Sequence, residues 1–216
     1  KQYEKQIQKL IDTHITSDEV IKVTNLVNIF EKDEFEEEVN KQVSKSAKAD
    51  MIASRTAKHI SENMEDDPVF YKKFSKVLQE VIDAYKEKRI SDAEYLNQVM
   101  NVMDSVRNRT GDEVPDILQD KEVAKAFYGV SKEVVESFKD KIDAEQVAAD
   151  IAIKIDEIIQ SEIVVDWQEK ENIKNRMRQE IEDYLFSIKG RYEIDLNFDQ
   201  MDDIIERSLE IAKRRY

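Results

Sequence analysis

Three glycines and two prolines in 216 residues leave this chain few ways to reverse direction tightly. Hairpin turns of β-architectures draw on glycine for left-handed backbone and on proline for pre-set turns, so a fold built from many short strands is excluded on this count. What fills the chain instead is a mixture of 38% charged and 40% hydrophobic residues, the proportions of helices with one apolar and one solvated face. The expected fold class is all-α: an irregular multi-helix bundle, arranged as two helical subdomains joined near residues 108–115.

Apolar spacing places the helices. Tyr3, Ile7, Leu10 and Ile11 predict one over 1–14. Residues 15–30 are less regular, and the β-branched Ile21, Val23 and Thr24 allow a short extended stretch. An acidic helix is expected from Asp33 to about Ser46, with Phe35 and Val39 on one face. A second runs from Ala47 to Met64 through Ala49, Ile52, Ala53, Ala57 and Ile60. Pro68 suits the first turn of the next, whose inner face reads Phe70, Phe74, Val77, Leu78, Val81 and Tyr85. Ser91 with Glu94 forms a capping box before Leu96, Val99, Met100, Met103 and Val106. Gly111 to Pro115 is the linker candidate.

Beyond it, 115–138 reads helical, with Ala124, Phe127, Tyr128, Val134, Val135 and Phe138 as core. Asp143 and Gln146 cap a helix that buries Val147, Ile151, Ile155, Ile158 and Ile159. Ile163 to Trp167 is a short apolar connection. Ile173, Met177, Ile181, Tyr184, Leu185 and Ile188 mark a helix ended by Gly190. Asn197 and Gln200 cap the last, with Leu196 stapled on Met201, a face of Ile204, Ile205, Leu209 and Ala212, and Lys213, Arg214 and Arg215 in the final turn. The organisation expected is the end of an upstream region with one helix over 1–30, then helical subdomains over 31–108 and 115–216. Lys1 enters a helical pattern at once with no initiator Met, so the chain reads as a piece of something longer.

Familiar chemistries fail on specific residues. There is no cysteine, which removes disulfides, thiol nucleophiles and cysteine-bound zinc and fits a reducing cytoplasm. A phosphate-binding loop needs Gly-Lys before Ser or Thr, yet the three glycines precede Asp112, Val130 and Arg191. A metal-dependent nuclease motif places an acid two residues before a lysine, and no lysine here has one. Neither His14 nor His59 has an acid or histidine three residues before it, where Ile11 and Thr56 stand, so the helical Glu-x-x-His metal pattern fails. EF-hand loops fail likewise at their first position. Catalytic, cofactor-binding and metal-binding residues are therefore expected to be absent. The acid runs Glu36–Glu38, Glu65–Asp67 and Asp202–Asp203 point to different sides of a helix and read as solvated faces. No apolar run approaches the length of a membrane span.

Two features can carry interaction. Trp167, the single tryptophan, suits either a core position or an interface anchor. Lys174, Arg176, Arg178, Lys189 and Arg191 form the one notable basic segment, though Glu180, Glu182 and Asp183 lie among them and a solvated helix face is the plainer reading. The net charge of −14 repels phosphate, so a protein partner is the better expectation than DNA.

Several segments together resemble the C-terminal helical domain of the R (restriction/motor) subunit of type I restriction–modification enzymes. They are Ile52-Ala-Ser-Arg-Thr-Ala-Lys-His-Ile60, Met64 to Phe74, Leu78 to Tyr85, Arg89 to Leu96, Ala124-Lys-Ala-Phe-Tyr-Gly-Val130, Val165-Asp-Trp167 and Ile204 to Tyr216. None is a catalytic motif. The resemblance implies a parent that is an ATP-dependent DNA translocase and endonuclease. It implies ATP and Mg2+ for that parent rather than for this region. Implied partners are methyltransferase and specificity subunits, with DNA reached through the parent. The implied role of this region is docking the motor subunit on that core. Direct contact with the DNA backbone through the basic segments is the alternative, and an independent enzyme with an undeclared carboxylate site is a third, weaker one.

Overall fold

The computed structural model describes residues 27–111 and 114–216. The helix expected over 1–14, the extended stretch around Ile21 to Thr24 and His14 lie outside the described residues. Among those described there are eight α-helices and no strand, so the chain is all-α. They are α1 (Lys32–Asn40), α2 (Lys45–Glu62), α3 (Pro68–Lys86), α4 (Asp92–Asn108), α5 (Glu122–Val135), α6 (Ala144–Glu162), α7 (Glu171–Tyr192) and α8 (Phe198–Arg215). Short 3₁₀ turns cover Asp116–Leu118, Glu136–Phe138 and Trp167–Glu169.

The chain divides into two compact units. Among the described residues one comprises 27–64 and 71–111, and the other comprises 65–70 and 114–216.

In the first unit α1 ends at Asn40, short of the expected Ser46. The reason is Ser44, whose Oγ accepts from the Ala47 amide and starts α2 instead. The face expected for α2 is the one buried: Ala49, Ile52, Ala53, Ala57 and Ile60. Along α3 the buried row within this unit is Phe74, Leu78 and Ile82, with Val77, Val81 and Tyr85 only half-buried beside it. The capping box predicted for α4 is present in both directions between Ser91 and Glu94. Its buried face, however, is Tyr95, Val99, Val102, Met103 and Val106, while Leu96 is half-buried and Met100 is exposed. Tyr95 turns the helix that way: its ring stacks on Tyr85 at 4.1 Å and its hydroxyl donates to Asp50 at 3.1 Å.

The second unit has one large core. Helix α5 packs against α6 and α8, and α7 packs against α6 and α8. Ile151, Ile155 and Ile159 of α6, Met177, Ile181 and Leu185 of α7, and Ile204 and Leu209 of α8 are 0–1% exposed. Each isoleucine or leucine so buried stabilises by about 1.5–3 kcal/mol relative to exposure. Asp143 caps α6 by accepting from the Gln146 amide, and the Gln146 side chain turns onward to Asp150. Asn197 and Gln200 form a complete capping box for α8, with Leu196 and Met201 both buried beside it. Gly190 does not end α7 as expected. The helix continues to Tyr192, and Glu193, at φ 56°, turns the chain out of it.

Candidate functional site

Four of the five basic residues of α7 are tied to acids. Lys174 Nζ lies 2.5 Å from Glu171 Oε1, one turn earlier. Arg176 meets Glu162 of α6 at 2.8 Å. Arg178 holds Glu206 of α8 with both arms of its guanidinium, at 2.6 and 3.1 Å. Arg178 and Glu206 each hold the other in its charged form: the hydrogen bond raises the arginine and lowers the carboxyl. Lys189 bonds Asp195 at 3.0 Å and covers the Phe186 ring at 5.5 Å. Arg191 is exposed near the C-terminal end of the helix. In the final turn of α8, Lys213 pairs with Glu210, and Arg214 lies 3.6 Å from Glu65 and 3.4 Å from Asp66. This side of the unit is a lattice of neutralised charges rather than a bare cationic track.

Trp167 is 1% exposed and sits in the core of the second unit. Of the two positions its sequence allowed, the ring occupies the interior one.

Glu36–Glu38 and Asp202–Asp203 lie in helices, whereas Glu65–Asp67 occupy the turn before α3, where Glu65 and Asp66 both reach Arg214 instead of pointing to different sides of a helix. Glu38 faces Arg55 at 3.7 Å, Asp67 Oδ1 accepts from the Phe70 amide at the start of α3, and Asp203 bonds Arg207 at 3.0 Å. Among the described residues no three His, Asp or Glu side chains converge as metal ligands, and no helix is long and apolar enough to cross a membrane. Gly129 and Gly190 lie within helices, and Gly111 follows α4 with a positive φ of 80°.

His59 lines a shallow pocket in the first unit with Asn28, Arg55, Lys58 and Glu62. Its ring lies 4.8 Å from that of Phe30 and 5.9 Å from that of Tyr71, and burial lowers its pKa. Lys58 and Glu62 pair with each other at 3.6 Å. Asn63 Nδ2 lies 3.2 Å from the His59 Nδ1, and the nearby Glu62 carboxylate opposes the effect of burial on the His59 pKa.

Large apolar side chains left in solvent are the feature that sequence reading missed. Phe186 of α7 and Phe198 of α8 are 40% and 67% exposed, and their rings meet edge to face at 6.0 Å. Phe186 falls beside the buried stripe Met177-Ile181-Leu185-Ile188, and Phe198 falls off the stripe Met201-Ile204-Ile205. The available signal was an aromatic residue at a position that helical periodicity assigns to solvent.

Comparison with known proteins supplies the context for a helical chain of this kind. The type I restriction enzyme MjaIXP endonuclease subunit of Methanocaldococcus jannaschii is 27% identical over 185 residues, covering 82% of this chain. The chain spans only 17% of that relative's length. No solved structure matches. Residues 1–214 match the family described as type I restriction enzyme HindI endonuclease subunit-like, C-terminal, and the chain accordingly belongs to that family of C-terminal regions of type I restriction endonuclease subunits.

Proposed function

We propose that this chain is the non-catalytic docking module of a type I restriction R subunit. It holds the motor subunit on the methyltransferase and specificity core in the cytoplasm. The parent would translocate on DNA with ATP and Mg2+ and cut it, using nuclease and motor parts whose motifs have no counterpart in these residues. The observation that carries the reading is the pairing of that family membership with the exposed Phe186–Phe198 surface, since contiguous apolar surface of this kind marks protein contact.

Direct DNA contact through Lys174, Arg176, Arg178, Lys189 and Arg191 draws less support. Four of these five cations already hold a carboxylate, and each would have to release it before neutralising a phosphate.

A pull-down of the methyltransferase core with the full-length subunit, and with one lacking residues 31–216, tests the reading. Capture by the first and not the second is expected. Equal capture by both would remove the docking role.

A further inference from the structure

The C-terminal end of α7 and the start of α8 combine three features that folding alone does not require. The first is the exposed phenylalanine pair. The second is Gly190, one turn beyond Phe186 on the same row of α7. It lies inside the helix without a positive φ, and a Cβ built there would meet nothing within 4 Å. Neither backbone conformation nor internal packing calls for glycine at a site where it weakens a helix by roughly 1 kcal/mol relative to alanine. Close approach of another molecule would call for it. The third feature is charge. Asp183 lies one turn before Phe186, Asp199 follows Phe198, and Asp202 lies one turn after it. These three exposed carboxylates have no ion-pair partner among the described residues, and they outnumber the nearby cations, since Lys189 over the Phe186 ring is held by Asp195 and Arg191 is exposed beside Gly190.

From this juxtaposition we infer that Phe186, Gly190 and Phe198 form the seat of the docking surface. Its occupant is a segment of a partner protein in which Lys or Arg side chains flank an apolar one. The inference rests on the docking role proposed above and assigns it a place. The apolar side chain covers the phenylalanine rings, the partner's backbone comes close at the bare Gly190 position, and its cations meet Asp183, Asp199 and Asp202. A second copy of this chain fits poorly, because the same patch on both sides would bring acid against acid. Nucleic acid is opposed by the same carboxylates.

The test uses the full-length subunit and the methyltransferase core, with affinity measured at two salt concentrations. Phe186→Ser with Phe198→Ser removes the apolar seat from exposed positions. Gly190→Gln fills the approach site while favouring the helix. Asp199→Asn with Asp202→Asn removes the charge. Each is expected to weaken binding about tenfold or more, and the Asn pair is expected to flatten its salt dependence. Gly190→Gln is decisive, because it weakens docking in a protein that melts no earlier than the parent. Unchanged affinity in all three, with binding still lost on deleting 31–216, would overturn this surface and leave the docking role standing. Unchanged binding on that deletion would overturn both. A wild-type subunit that self-associates through this patch, with variants affecting only that, would also overturn the proposal.

Discussion

Gly129, in the middle of α5, lies so close to Val69 that a Cβ built on it would stand 2.9 Å from the Val69 Cβ. This glycine is a packing residue: it lets the start of α3 lie against α5 within the second unit. Gly129→Ala forces the valine or the helix aside, an overpacking cost of about 1–3 kcal/mol that the roughly 1 kcal/mol gain in helix propensity only partly offsets. A lower urea midpoint is expected. Adding Val69→Gly removes the contacting Cβ, and a double-mutant cycle should then show coupling between the two sites, the Gly129→Ala penalty being smaller in that background.

The opposite result is expected at Gly190, where the Cβ position is open. Gly190→Ala should stabilise the isolated chain by about 0.4–1 kcal/mol, chiefly by restricting the unfolded state. Thermal melting of the two alanine variants side by side separates a glycine needed for internal packing from one that internal packing does not need.

Tyr216 donates a hydrogen bond to Asp156, a residue only 8% exposed, and accepts one from Gln160 Nε2 at 2.9 Å. Burial, followed by the Asp156 hydrogen bond, pushes the Tyr216 hydroxyl up to about 12 from its ordinary 10. Burial and the Asp150 carboxylate do the same for Tyr184. Between those values the unfolded chain has released protons that the folded chain still holds. The contribution of both groups is therefore complete below pH 10 and is lost as pH rises towards 12. Tyr216→Phe should cost about 1–3 kcal/mol at neutral pH, because a buried carboxylate loses a donor. It should also lessen the alkaline fall in stability, as followed by denaturant melts against pH.

Arg178 and Glu206 clamp α7 to α8 through two parallel hydrogen bonds. The glutamate is about half exposed, so solvent screens the pair. Arg178→Ala is expected to cost only about 0.2–1 kcal/mol, and less in high salt. Arg176→Ala with Arg178→Ala should leave any DNA affinity of the full-length subunit unchanged in an electrophoretic mobility shift. A marked loss would favour the DNA-contact alternative.

The elements readable from sequence were those whose cause is local. The Ser91–Glu94 and Asn197–Gln200 boxes are three-residue relationships, and the α6 stripe from Val147 to Ile159 follows from helical period alone. What escaped depends on partners distant in the chain. The face of α4 is set by Tyr95 meeting Tyr85 and Asp50, so periodicity chose Met100 where the fold buries Val102. Gly190 resembled a helix terminator until Glu193 took the left-handed position. The neutralisation of Arg178 required a glutamate 28 residues away, and the Phe186–Phe198 pair exists only because the turn after Tyr192 returns α8 against α7.

Hydrogen–deuterium exchange on the full-length subunit, free and bound to the methyltransferase core, tests the docking role most directly, since it requires neither deletion nor substitution. Slowed exchange on binding is expected within residues 31–216, strongest from about Asp183 to Asp202. Protection confined to other parts of the subunit, with exchange across 31–216 unchanged, would contradict it.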